Sequence, residues 1–191
     1  MSLVIAEVKD GVVYMGADTQ ASGGVFKENL SLESNLKIIK MPHGIVIGCV
    51  GTKDVARILT CHKDWFEELN DKPLSKEFLT TKIVSKFYNE LKEMDWLKKS
   101  APAEHACRFL IAQKDKLFIM KGDFTVNIVP RFCTIGCGEY AAQIVNADTA
   151  DMSVNEKMLN ALRLADRFDS AVGAPYIFID TQNLKFKFVE A

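Results

Sequence analysis

The chain has 191 residues, 48% of them hydrophobic, with a formal net charge of −1 and a mean hydropathy of +0.02. This composition suits one globular domain over residues 1–191 and gives no positive field that would attract nucleic acid or an anionic membrane. No stretch approaches the roughly 20 apolar residues that cross a bilayer, and a signal-peptide core is absent. Five cysteines without metal-type spacing favour free thiols, a cytoplasmic location and no metal or other cofactor.

The first predicted element is a β-hairpin. Two runs rich in β-branched residues, 3–8 and 12–17, flank Asp10-Gly11, a dipeptide typical of a two-residue hairpin turn. Such a hairpin brings Asp18 back beside residues 1 to 3. A carboxylate facing the chain terminus suits an enzyme whose nucleophile is its own N-terminal residue, and Ser2 is the candidate nucleophile.

The remaining pattern alternates between strands and helix pairs. Period-2 or continuous apolar runs predict strands at 36–41, 45–50, 109–112, 117–120, 124–129, 133–135, 176–180 and 184–189. Apolar spacing and capping residues predict helices at 55–69, 75–94, 139–146 and 154–165. Ser75 is the predicted cap of the second helix, and Ser153 with Glu156 forms a predicted capping box at the start of the fourth. Two stacked, mainly antiparallel sheets with a helix pair on each outer side satisfy this order. The sequence therefore predicts an α+β fold, a four-layer α/β/β/α sandwich.

Four short motifs carry a resemblance to a known family: residues 11–22, 47–51, 135–138, and 169–171 with Gly173. With them the chain resembles the proteasome β-subunit family and its bacterial relatives, which include the peptidase subunit of the two-component heat-shock protease. The resemblance implies the N-terminal nucleophile hydrolase fold and hydrolysis of peptide bonds in peptides or proteins. It also implies assembly into a homo-oligomeric ring and an ATP-dependent unfoldase as a further partner.

The resemblance also assigns a role to each matched residue. The implied catalytic set is the nucleophile Ser2, its aspartate Asp18, the essential lysine Lys37, the oxyanion-binding glycine Gly48, Cys137 in place of a supporting serine, and the retained Asp169. The implied substrate-binding residues line an apolar first specificity pocket and are Ala21, Val46 and Val50.

These positions would act through an α-amine. The amine of an N-terminal serine can accept the proton of its own hydroxyl, and its pKa of about 7.7 to 8.0 leaves a useful neutral fraction near neutral pH. The ammonium of Lys37 would help keep that amine neutral, and Asp18 would hold the lysine in place. The amine is free only when Met1 has been removed, because otherwise the nitrogen of Ser2 is an amide. A natural threonine nucleophile, whose position Ser2 marks, is an alternative.

Alternatives remain open for several of these residues. Lys37 could be a solvated edge-strand lysine, Asp18 could cap a turn, and Gly48 could serve close packing at a strand-to-helix junction. Cys137 could be a second nucleophile or a thiol that fills the space of a serine.

Departures from the family pattern leave the activity open as well. Serine in place of the usual threonine, Cys137, and Val172 in place of a second serine favour a non-catalytic ring or scaffold subunit as the alternative function. A small-molecule amidase would use the same atoms. Apolar surface for a ring is predicted at Trp65, Phe66, Trp96 and Leu97, with the alternative that most of these side chains belong to the core.

Overall fold

The computed structural model of the chain describes residues 2–23, 26–29, 36–97, 103–148 and 152–190. The strands are β1 (Leu3–Lys9), β2 (Val12–Asp18), β3 (Gln20–Gly23), β4 (Phe26–Asn29), β5 (Ile38–Met41), β6 (Ile45–Gly51), β7 (Cys107–Gln113), β8 (Lys116–Met120), β9 (Val126–Ile128), β10 (Phe132–Gly136), β11 (Tyr176–Asp180) and β12 (Lys187–Val189). The helices are α1 (Lys53–Cys61), α2 (Asp64–Glu67), α3 (Lys76–Phe78), α4 (Val84–Glu93), α5 (Glu139–Asp148) and α6 (Val154–Phe168).

Antiparallel pairing joins these strands into two five-stranded sheets. The first has the order β10-β1-β2-β11-β12 and the second the order β5-β6-β7-β8-β9, while β3 and β4 form a separate hairpin. The predicted first hairpin is confirmed, with Asp10 and Gly11 at φ of 51° and 77°, the positive values that a tight two-residue turn requires. Its register pairs Val4 with Ala17 and so places Asp18 beside the start of β1.

Side-chain alternation along the strands builds the four layers. In β1, Leu3 and Ile5 pack against α5 and α6, whereas Val4 and Ala6 face the second sheet. The residues of β6 alternate in the same way between α1–α4 and the first sheet. Both strands are buried on both faces, which explains their nearly continuous hydrophobic runs. The predicted α/β/β/α order is confirmed.

The helices on the second sheet differ in detail from the prediction. The pattern at 55–69 predicts one helix, but α1 ends at Cys61 and α2 begins at Asp64, because His62 between them has a non-helical backbone with ψ of 68°. Ser75 caps the next helix as predicted, since its Oγ accepts a hydrogen bond of 3.1 Å from the Phe78 N–H. That helix runs from α3 through a π-turn at Leu79–Ile83 into α4.

Two further predictions concern the last helix and the last strand. The capping box of Ser153 and Glu156 is confirmed at the start of α6. The last strand is shorter than predicted, because Leu184 has φ of 54° and β12 begins only at Lys187. The hairpin of β3 and β4 was not predicted from the sequence.

The four apolar residues predicted to form a ring surface differ in how far they are exposed. Trp65 and Phe66 are buried against the second sheet, with 6% and 0% of their surface exposed, so these two belong to the core and not to a ring surface, as the alternative for them had it. Their three-and-four spacing pointed them inward, as for any core face of a helix. Trp96 is 43% exposed, and Leu97 packs at the margin of the same core. None of the helices that the structure describes combines the length and hydropathy needed to cross a membrane.

Candidate active site

Asp18, the last residue of β2, is fully buried at the end of the first hairpin. Its Oδ1 accepts a hydrogen bond of 2.8 Å from the Leu3 N–H, which fixes the carboxylate one residue from Ser2. Its Oδ2 lies 2.5 Å from the Nζ of Lys37. The Gly173 N–H also favours the ionised carboxylate. Asp18 therefore links the chain start to a lysine and does not simply cap a turn.

Lys37 lies just before β5 and is only 6% exposed, so it is not a solvated edge-strand lysine. Besides Asp18, its ammonium donates to the main-chain oxygen of Gln20 at 2.6 Å. Its third N–H has no acceptor among the residues that the structure describes. Burial lowers the pKa of Lys37 and raises the pKa of Asp18, while their mutual attraction opposes both shifts.

Ser2 is half-buried between this pair and the turn that follows β10. Its main-chain oxygen accepts a hydrogen bond of 2.7 Å from the Cys137 N–H. Gly136 has φ of 110°, and a Cβ at this position would lie 1.9 Å from the same oxygen. Glycine is therefore required at 136 for β10 to pass this close to Ser2.

Cys137 and Asp169 meet beside Ser2. Burial raises the pKa of the Cys137 thiol, and so do the charge of Asp169 and a hydrogen bond to its carboxylate, whereas a hydrogen bond from the Ser2 N–H acts in the opposite direction. The carboxylate of Asp169 also accepts the Ala171 N–H at 2.9 Å. A protonated thiol that donates to Asp169 fits the space-filling alternative better than a second nucleophile. Val172 is fully buried in the apolar cluster under α5 and α6.

A cavity of about 510 Å³ opens next to Ser2. At the Ser2 end it is bordered by Val50, Gly51, Gly136 and Cys137. The other residues that line it belong to two segments, 104–108 and 121–123. A space of this size admits several residues of a peptide or a small molecule. Among the described residues, no group of three His, Cys, Asp or Glu side chains is placed to hold a metal ion.

Gly48 does not border this cavity. It lies in the middle of β6, and a Cβ there would be 2.6 Å from Val4 and 2.7 Å from Met15 of the other sheet. The Cys49 N–H donates to the main-chain oxygen of Lys37, on the β5 side of β6. The Thr52 N–H donates to the main-chain oxygen of Ala106, on the β7 side. Because successive N–H groups of a strand point to opposite sides, the Gly48 N–H points towards β7. Gly48 serves close packing between the sheets, and the oxyanion role predicted for it does not fit this position.

Gly51, at the end of β6, borders the cavity instead. Strand alternation directs its N–H to the same side as that of Cys49, towards Lys37. It has φ of 121°, and a Cβ there would lie 2.1 Å from the Ala106 oxygen. The sequence could have indicated Gly51, because a glycine at the end of a buried strand often marks an unusual backbone geometry. Gly51 is therefore the glycine whose N–H can face an oxyanion beside Ser2.

The three residues predicted to line the first specificity pocket differ in where the structure places them. Val50 borders the cavity. Val46 is 1% exposed and packs between the two sheets, so the structure does not place it in a pocket. The side chain of Ala21 lies outside what the structure describes.

A second set of contacts, which the sequence did not suggest, supports Asp18 from the side of residues 170–175. The Nε2 of the buried Gln20 donates to the Ser170 oxygen at 2.6 Å, and the Oγ1 of Thr19 donates to the Pro175 oxygen at 2.7 Å. A Cβ at Gly173 would lie 2.1 Å from the Gln20 side chain. These contacts hold the segment of Gly173 against the end of β2, where its N–H can reach Asp18.

His105 forms part of the cavity wall and is neutral. Its Nδ1 accepts the Cys107 N–H at 3.2 Å, and its ring packs edge-on against Phe87 and Phe124. Burial lowers the pKa of His105 to about 4. The ring therefore contributes a polar but uncharged surface at neutral pH.

This shift predicts an acid-sensitive fold. Between pH 6.5 and about 4 the unfolded chain binds a proton at His105 that the folded protein does not bind, so the free energy of unfolding falls as the pH is lowered. The full effect is about 3 kcal/mol. Urea unfolding across this range should show a shallower pH dependence for His105→Asn, which keeps an acceptor for the Cys107 N–H. An identical slope in both proteins would contradict the assignment.

Comparison with known proteins agrees with this architecture. No protein-family model matches the chain, and no curated protein matches it. Among solved structures, BPH from Thiobacillus denitrificans in complex with epoxomicin superposes with a TM-score of 0.73 at 20% identity, covering 96% of this chain and 99% of that one. The chain has the proteasome β-subunit fold. HslV from Trypanosoma brucei gives a TM-score of 0.65 at 16% identity, covering 93% of this chain and 98% of that one.

The Anbu (Gly-1) mutant from Hyphomicrobium sp. strain MC1 shares this proteasome fold with a TM-score of 0.74 at 16% identity, covering 100% of this chain and 88% of that one. At such identities the likeness concerns the fold. The chemistry of this proteasome-fold chain is therefore argued from its own residues.

Proposed function

We propose that the protein is an N-terminal nucleophile hydrolase that cleaves peptide or amide bonds in peptides or proteins. Ser2, freed by removal of Met1, supplies the nucleophile. The observation that carries the proposal is the buried Asp18–Lys37 pair, whose carboxylate also holds the N–H of Leu3 next to Ser2. A fully desolvated ion pair is costly to bury, so its place beside the chain start favours a chemical role. One domain over residues 1–191 is part of the same proposal.

The first half of the reaction forms an ester. The α-amine of Ser2 accepts the hydroxyl proton while Oγ attacks the substrate carbonyl carbon, and the carbonyl electrons move to oxygen. The resulting oxyanion accepts a hydrogen bond from the Gly51 N–H, an interaction worth roughly 3 kcal/mol in other hydrolases. Collapse of the intermediate breaks the C–N bond, and the α-ammonium returns its proton to the leaving amine.

The second half hydrolyses the ester. Water gives a proton to the α-amine and attacks the acyl carbon, and Oγ leaves with that proton. Lys37 favours the neutral amine by its positive charge, and Asp18 fixes the lysine. The thiol of Cys137 donates to Asp169 and keeps the β10–α5 turn against Ser2.

The same fold suggests an assembly and a location. We propose that the chain forms a homo-oligomeric ring, on which an ATP-dependent unfoldase would act, and that it works in the cytoplasm. Exposed apolar side chains on α5 and α6, which include Tyr140, Ile144 and Phe168, support self-association. All five cysteines are free, which supports a reducing compartment. A monomeric mass in light scattering would contradict the ring.

The test of the function uses protein whose first residue is confirmed by mass spectrometry to be Ser2. We expect it to cleave fluorogenic peptides, and we expect the matched protein that retains Met1 to be inactive, because its Ser2 nitrogen is an amide. Ser2→Ala, started at residue 2, is the control for contaminating proteases. Absence of turnover by the free Ser2 form across an amide and peptide panel would instead favour the non-catalytic scaffold subunit.

A further inference from the structure

The cavity beside Ser2 is lined by charged residues as well as by Val50. Four of the lining residues are charged at neutral pH, the cations Arg108 and Lys121 and the anions Glu104 and Asp123. This lining differs from the apolar first pocket predicted from the sequence. The arrangement of the four charges decides what the cavity can bind.

Arg108 is fixed by the sheet and by one ion pair. It lies opposite Val50 in the β6–β7 register, so both side chains leave the same face of the second sheet, towards Ser2. One Nη donates to Glu139 at the start of α5, at 3.2 Å. Guanidinium carries five N–H donors, and in the described part of the chain the others have no acceptor. Arg108 therefore faces the cavity with N–H donors that none of the described residues occupies.

Lys121 approaches Arg108 from the end of β8. Its side chain is exposed, and within the described residues its ammonium has no ion-pair partner. The β7–β8 register pairs Phe109 with Met120, so Lys121, the next residue, lies beside Arg108 at the cavity that both residues line. Two cations brought together in this way favour an anion between them.

The two anions of the cavity are disposed differently. The Oδ1 of Asp123 accepts the Thr125 N–H at 3.0 Å and the Thr125 hydroxyl at 2.6 Å. These hydrogen bonds and, to a smaller extent, the charge of Lys121 hold the pKa of the Asp123 carboxyl below its usual value. Glu104 has no ion pair to a described residue. It is the anion that would oppose an acidic ligand, and it provides a matched control.

We propose that this cavity is a subsite for a carboxylate group of the substrate, which Arg108 and Lys121 bind together. The subsite deepens the proposed function and rests on it for its role in catalysis. The carboxylate can come from an aspartate or glutamate side chain or from a peptide C-terminus, and both sources present the same two oxygens to the cations.

Binding to Ser2→Ala protein, which lacks the nucleophilic oxygen, tests the subsite without turnover. Three peptides of one length are compared by calorimetry: a blocked peptide with aspartate, the same peptide with asparagine, and the asparagine peptide with a free C-terminal carboxylate. We expect at least one carboxylate peptide to bind about tenfold more tightly than the blocked asparagine peptide. The peptide that binds more tightly shows whether the carboxylate comes from a side chain or from the C-terminus.

Two substitutions in the same background locate the effect. Lys121→Met, at an exposed position, should remove most of the carboxylate preference, and Glu104→Gln should preserve or increase it. Equal affinity for all three peptides, or no binding by any of them, would overturn the subsite. If the Ser2 form cleaves peptides but shows no carboxylate preference, only the subsite is rejected. If the protein binds carboxylate peptides but the Ser2 form cleaves none, the peptidase activity is rejected and the subsite is retained.

Discussion

Lys37→Met, made in protein that starts at Ser2, is expected to lower kcat/KM for peptide hydrolysis by at least about a thousandfold. The substitution removes the ammonium that favours a neutral α-amine, while the apolar stem of the side chain keeps its volume. It also leaves Asp18 buried without its cation, which should lower the free energy of unfolding by about 3 kcal/mol. Peptide kinetics and urea unfolding measure the two effects separately.

The double variant Asp18→Asn, Lys37→Met separates chemistry from stability. Asparagine keeps an oxygen for the Leu3 N–H, and no charge remains buried, so most of the lost stability should return. Activity should stay lost, because the lysine is still absent. Recovery of turnover together with stability would show that the ion pair is only structural.

Gly136→Ala is expected to inactivate the protein by moving Ser2. The new Cβ would lie 1.9 Å from the Ser2 oxygen at a residue with φ of 110°, so the strand β10 or the chain start must shift. We expect the free energy of unfolding to fall by about 3 kcal/mol. A nucleophile displaced by an ångström costs about a hundredfold or more in rate. Peptide turnover and thermal unfolding give the two readouts.

Gly11→Ala provides the matched control for Gly136→Ala. Gly11 also has a positive φ, of 77°, but a Cβ there meets nothing within 4 Å. It should therefore show only backbone strain, about 1 kcal/mol, and full activity. If Gly136→Ala retained the stability and turnover of Gly11→Ala, the contact with Ser2 would not position the nucleophile.

Much of the fold could be predicted from local patterns. Asp10-Gly11 determined the first hairpin, and Ser153 with Glu156 marked the start of α6, because turn and capping signals depend on adjacent residues. The layer order followed from the alternation of strand and helix patterns. The hairpin of β3 and β4 was missed, since its short polar segment shows no apolar alternation.

The site was predictable only in part. The hairpin alone brings Asp18 to the chain start, so that prediction needed no tertiary information. Tertiary information was needed to decide whether Gly48 or Gly51 supplies the oxyanion N–H, because both glycines fit a strand-to-helix junction. Only the packing of Val4 and Met15 against Gly48 shows that this glycine lies between the sheets. The cavity that places Arg108 and Lys121 beside Ser2 combines residues of β6, β7 and β10, a proximity that sequence spacing does not contain.

The most direct test of the account is to find where a hydroxyl-reactive peptide inhibitor attaches to protein that begins at Ser2. Intact mass followed by fragmentation should place one adduct on Ser2, and the adduct should be absent from Ser2→Ala and strongly reduced in Lys37→Met. An adduct on Cys137, or none on the free Ser2 form, would contradict a terminal nucleophile organised by Asp18 and Lys37.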